Sequence, residues 1–171
     1  MTYPLRNWPS ALKTFVSVYL IVTSIGYFLG LAFVSNETEL KPKGITEQYK
    51  GSDPAADPEA ELKFEKSVKD MLLTTHNHIL GLSSIFFILG GLFWFSSILK
   101  GKWKTFLMAE PLLALVTTFG GLWILRFIPE AGWFVWVVIL SGISMFVSVA
   151  VMVVLMLAEL WFLNPDGAEK P

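Results

Sequence analysis

Four apolar stretches, each long enough to cross a bilayer, constrain this chain more than any other feature. A hydrocarbon core of about 30 Å takes about 20 residues of α-helix. The stretches run from about residue 14 to 35, 71 to 99, 106 to 127 and 133 to 163. Backbone inside hydrocarbon must satisfy its own hydrogen bonds, and a helix does so within one segment. The fourth stretch is 31 residues long, so it is expected to tilt or to project into the interface. Three hairpin-compatible connections predict an all-α, up-down-up-down four-helix membrane bundle, a single membrane domain over residues 1–171. Composition agrees: 54% of residues are hydrophobic and 16% charged, against about 25% charged in soluble domains.

Charge narrows the function classes. Thirteen Lys and Arg face fourteen Asp and Glu, with none of the basic excess of a nucleic-acid binder. The absence of cysteine removes disulfides, thiolate metal sites, iron–sulfur clusters and covalent heme attachment. Orientation follows from cation placement. The N-terminal arm carries Arg6 without an acid, and the second connection carries Lys100, Lys102 and Lys104 without an acid. With an even number of spans this places both termini in the cytoplasm and segment 36–70 outside. The first apolar core exceeds the 7–15 residues or so of a signal peptide, and Phe33 stands where a small residue is needed for cleavage. An uncleaved anchor is expected.

Segment 36–70 holds six lysines and nine acids. Its Pro-rich middle, SDPAADPEA, precedes PEAELKFEKSVKDML, whose spacing predicts a short helix from Pro58 into the second span, with Leu62, Val68 and Leu72 as apolar contacts. Earlier, GITEQYKG brackets Ile45 and Tyr49 between Gly44 and Gly51, which fits either a compact loop packed on the bundle or a solvated one. Asn36-Glu37-Thr38 is a glycosylation sequon where the host glycosylates exported chains. Arg126, Glu130 and Trp133 are expected at the outer interface. Trp94, Trp103 and Trp161 are placed toward the inner side and Trp123 and Trp136 toward the outer, as an aromatic belt.

Membrane helices associate through small residues and a few hydrogen-bonding side chains. Each span has such a stripe: Tyr19, Thr23, Gly26 and Gly30 in the first; Thr74, Asn77, Gly81, Ser84 and Gly91 in the second; Glu110, Ala114, Thr117 and Gly121 in the third; Ser141, Met145, Ser148, Met152 and Glu159 in the fourth. All four are expected to face the bundle interior. Met145, Met152 and Met156 read as packing. Glu110 and Glu159, with Lys102 or Lys104 as partners, read as a polar cluster at the inner side.

Chemistry, if any, converges on the second span. It carries both histidines of the chain, His76 and His78, around Asn77, and polar groups in hydrocarbon tend to mark functional sites. At 3.6 residues per turn the two rings lie about 200° apart around the axis, so they cannot be the two axial ligands of one heme. One imidazole at the depth of Arg126 suits a heme b edge with its propionates on Arg126, a metal ion, or a quinone. The competing reading has the histidines and Asn77 only locking helices together, with no cofactor. No nucleophile elbow or phosphate loop is present, so a stand-alone enzyme is not indicated.

At THNHILGLSSIFFILGG, taken with GITEQYKG, the chain resembles a group of uncharacterised bacterial four-span inner-membrane proteins. That group has an outside loop ending in Tyr-x-Gly, matched by Tyr49 and Gly51, and a His-Asn-His turn opening the second span, matched by His76, Asn77 and His78. The resemblance implies a multi-pass protein of the bacterial inner membrane, beside respiratory or cytochrome systems. Two functions are carried forward. One is a small membrane subunit of an electron-transfer or envelope complex, with a heme, metal or quinone site at His76, Asn77, His78 and Arg126. The other is a non-catalytic scaffold or assembly protein whose outside loop docks a partner. Either one contacts the lipid bilayer and other membrane or periplasmic subunits.

Overall fold

The computed structural model describes residues 3–52 and 62–163. Its elements are a single 3-10 turn (Leu5–Asn7), α1 (Ser10–Thr38), α2 (Pro42–Lys50), α3 (Val68–Phe93), α4 (Gly101–Phe127), a second 3-10 turn (Pro129–Ala131) and α5 (Phe134–Trp161). Helices α1, α3, α4 and α5 are each long and apolar enough to span a membrane. Among the described residues the fold is all-helical, the expected four-helix membrane bundle.

Local chemistry sets the ends. Pro9 precedes α1, and Glu39 and Leu40 leave it with φ of 51° and 53°. Pro42 opens α2 at a position where its missing N–H costs nothing, and Gly51 closes it at φ 87°. Ser67 caps α3, its Oγ accepting from the Asp70 backbone N–H at 3.1 Å, which satisfies one of the helix's orphan donors. The helix expected from Pro58 therefore starts only at Val68; residues 58–61 lie outside the described residues. That start sets the phase of α3. Met71 turns inward, while Leu62, Val68 and Leu72, expected as apolar contacts, are exposed. At the other end α3 stops at Phe93, short of Leu99.

Helices α4 and α5 form the central pair. Gly121 lets α4 approach closely enough that an added Cβ would meet Val138 Cγ2 at 2.9 Å. The Thr118 and Ser141 hydroxyls hydrogen-bond at 2.7 Å across the same seam. Met152 and Met156 are fully buried between the helices, as expected of packing residues, and α3 adds Phe86, Leu89 and Phe93 to the core. Helix α1 lies on α5 through Val16 and Leu20, and Tyr27 stacks on Phe146 and meets Phe86 edge-on. Beyond Phe28, which still meets Phe146 edge-on, it leaves the core of the bundle: Leu29, Phe33 and Val34 are exposed, and nothing lies within 4 Å of a Cβ built on Gly26 or Gly30.

The two ends of the bundle are each tied together. At the terminal end Trp8 packs edge-on against Phe95 and the Trp161 indole donates to Ser17 Oγ at 2.7 Å. At the loop end α2 packs through buried Ile45 and half-buried Tyr49, which makes GITEQYKG a compact element. Segment 62–67 pairs with its end through Ser52 N to Lys63 O (2.9 Å) and Lys66 N to Tyr49 O (3.0 Å).

Candidate functional site at the loop end of α3

The third turn of α3 carries the His-Asn-His sequence, and His76, Asn77 and His78 are all exposed. His78 Nδ1 lies 2.8 Å from the Thr74 carbonyl. A carbonyl only accepts, so Nδ1 is the donor in this contact, and Nε2 is the ring nitrogen left to face a ligand. A histidine that donates one ring N–H to a backbone carbonyl is oriented as metal-ligating histidines are. The ring also rests on Phe119, centroids 5.1 Å apart. One turn toward the loop, the Trp123 indole donates to Thr75 Oγ1 at 2.9 Å, which fixes α3 against α4. His76 and Asn77 make no side-chain hydrogen bond among the described residues.

Arg126 is held elsewhere. Its Nε donates to the Lys66 carbonyl at 2.8 Å, and its Nη2 pairs with Glu65 at 3.1 Å. The guanidinium also lies 4.8 Å from the centre of the Phe127 ring. It thereby anchors segment 62–67 on the end of α4. The structure thus brings His78 to Phe119 and Arg126 to Glu65, and brings His76 to neither His78 nor Arg126. No group of three or more potential metal-ligating His, Asp or Glu side chains occurs among the described residues. Sequence spacing alone signals the Thr74–His78 bond, four residues apart on one helix. The roles of Glu65, Lys66 and Phe119 rest on long-range packing that no local pattern encodes.

The stripe of small and polar residues on α3 corrects an expectation. Asn77, Gly81, Ser84 and Gly91 face away from the bundle, and nothing lies within 4 Å of a Cβ built on Gly81 or Gly91. Within the chain α3 buries its bulkier face instead, with Met71, Phe86, Leu89 and Phe93, because large side chains gain more contact against α4 and α5. Gly26 and Gly30 on α1 and Thr117 on α4 are likewise exposed. The α5 stripe and the remaining α4 residues face inward as expected.

The polar cluster at the terminal end also differs in its partners. Glu159, fully buried, accepts from Ser96 Oγ (2.6 Å), Ser97 Oγ (2.7 Å) and the Ser97 N–H (2.8 Å). Lys104 donates to the Trp94 and Ser96 carbonyls at 2.6 and 2.7 Å rather than to a carboxylate. Glu110 pairs with neither lysine, and its Oε2 is buried without a hydrogen-bond partner.

Residues 39–167 match a family described as a transmembrane helical domain. No curated protein and no solved structure matches the chain.

Proposed function

Because the chain belongs to the Aq_1264_TM family of transmembrane helical domains, we propose that it is a small integral-membrane subunit of a bacterial electron-transfer or envelope complex. One observation carries this reading: the outward-facing stripe of Asn77, Gly81, Ser84 and Gly91 on α3. In hydrocarbon, small residues give their advantage only when another backbone comes close, and the Asn77 amide needs a partner, whereas the Ser84 hydroxyl already donates to the Leu80 carbonyl at 2.8 Å. A helix of a neighbouring subunit meets both needs. His76 and His78 flank that stripe, so a heme, metal or quinone would be held between α3 and the neighbour, with Nε2 of His78 as the oriented ligand. The terminal end bears Arg6, Lys100, Lys102 and Lys104, which favours both termini in the cytoplasm and the loop end outside, in the bacterial inner membrane.

A second reading, a scaffold without a cofactor, draws support from Arg126. Its guanidinium is engaged by Glu65 and Lys66 and so is not free for propionates. The experiment is purification in mild detergent from the native membrane with whatever accompanies the protein, followed by a reduced-minus-oxidised visible spectrum and metal analysis. The cofactor reading expects a heme or stoichiometric metal signal that His78→Ala removes. A colourless, metal-free complex leaves the scaffold. Co-purification that survives both Gly81→Leu and Ser84→Leu refutes docking through α3.

A further inference from the structure

Glu110 is the one acid among the described residues placed well inside a span. It lies nine residues into α4, about 14 Å from that helix's start. The residue is 7% exposed, and its Oε2 is sealed from the surface with no hydrogen-bond partner. The ion pairs among the described residues engage Glu39, Glu47 and Glu65 instead. An uncompensated carboxylate in a low-dielectric interior is among the costliest arrangements a protein can hold. A buried polar atom without a partner points to an ion or water that satisfies it.

Helix α1 runs parallel to α4, and its contacts with α5 (Tyr27 on Phe146, Ser17 on Trp161) set against the Thr118–Ser141 pair of α4 and α5 put Tyr27 near the level of Glu110. Pro111 follows Glu110 inside the helix and has no N–H, so the Leu107 carbonyl lacks its usual intrahelical donor. The Tyr27 phenol is within electrostatic reach of Glu110. No other group among the described residues is seen to pair with the acid. On α4 the Lys104 ammonium is committed to the Trp94 and Ser96 carbonyls. On α5 the nearest charge is Glu159, itself held by Ser96 and Ser97. Helix α3 offers no titratable side chain beyond His78.

We propose that Glu110 is a monovalent-cation site within the membrane, taking either a proton or a dehydrated alkali cation, with the Leu107 carbonyl as a further oxygen contact and the Tyr27 phenol nearby. A single carboxylate matches a single charge. Divalent cations are held by several carboxylates and carbonyls, and no cluster of acids is found among the described residues. The site stands apart from the α3 surface and does not depend on it.

The test uses the full chain in its native membrane, treated with N,N′-dicyclohexylcarbodiimide. This apolar reagent converts protonated carboxyl groups within membranes to stable N-acylureas. Peptide mass spectrometry should find the label on Glu110 in preference to Glu65 and Glu130, falling as pH rises, and absent in Glu110→Gln. A sodium titration at constant pH and ionic strength, with choline as the balancing cation, separates the two sources. Protection by sodium assigns an alkali cation, and labelling that responds only to pH assigns a proton. Labelling of Glu110 no faster than of Glu130 at every pH would overturn the site.

Discussion

Removing the Glu159 carboxylate should unfasten the terminal end of the bundle. Two residues from the end of α5, this fully buried side chain takes three hydrogen bonds from the turn that joins α3 to α4, at 2.6, 2.7 and 2.8 Å. Bonds to a charged group are worth about 1.5–3 kcal/mol each in soluble proteins. Between membrane helices the mean is nearer 0.6 and the maximum about 1.7 kcal/mol. Complete burial and short distances place these three toward the upper membrane value, so Glu159→Ala should cost about 4 kcal/mol. Glu159→Gln keeps the shape and one carbonyl for the Ser97 N–H, and a serine hydroxyl can turn to accept from the new amide. Its cost should be about 1–2 kcal/mol. The assay is reversible unfolding in mixed micelles against sodium dodecyl sulfate, followed by tryptophan fluorescence. Because the groups form one network, adding Ser97→Ala to Glu159→Ala should cost little more than Glu159→Ala alone. An alanine variant within about 1 kcal/mol of the native protein, or additive effects of the two substitutions, would refute the clasp.

Three further outcomes follow from the packing. Gly121→Ala should destabilise the α4–α5 pair by about 1–3 kcal/mol, because its Cβ meets Val138, while Gly120→Ala, with nothing within 4 Å, should be near neutral in the same assay. Arg126→Met should release segment 62–67 and be read as faster proteolysis near Lys66, with α3 to α5 remaining helical by circular dichroism. Burial raises the Tyr49 phenol above its ordinary value. The docking of α2 should therefore be at full strength below about pH 10, the ordinary phenol value, and weaken as pH rises through the raised one. Tyr49→Phe should abolish that alkaline transition, measured by tyrosinate absorbance alongside proteolysis of the loop.

Hydropathy made the four spans legible because helices in lipid must be continuous and apolar. It was less informative about their ends, which depend on specific partners. Helix α3 stops at Phe93 rather than near Leu99, since Ser96 and Ser97 turn away to meet a carboxylate 62 residues further along the chain. Periodicity identified the small and polar stripe of α3 but not what it faces. The same spacing serves a neighbour inside the chain or outside it, and bulky Phe86, Leu89 and Phe93 occupied the inside. At the candidate site, the separation of His76 from His78 followed from helix geometry alone. The engagement of Arg126 by Glu65 and Lys66 arises from chain segments about 60 residues apart.

The order of synthesis gives the central pair a temporal meaning. Helices α4 and α5 are joined by a short turn and match along their length, so they can leave the insertion machinery as a finished hairpin. Helix α1 emerges first, yet the surface it rests on is α5, the last helix made. Until then only α2 and the Phe86 edge of α3 meet it, with Gly26 and Gly30 bare on one side. A chain interrupted before α5 therefore strands α1 as an orphan anchor, a form that membrane quality control can recognise by its uncovered Val16, Ser17 and Leu20.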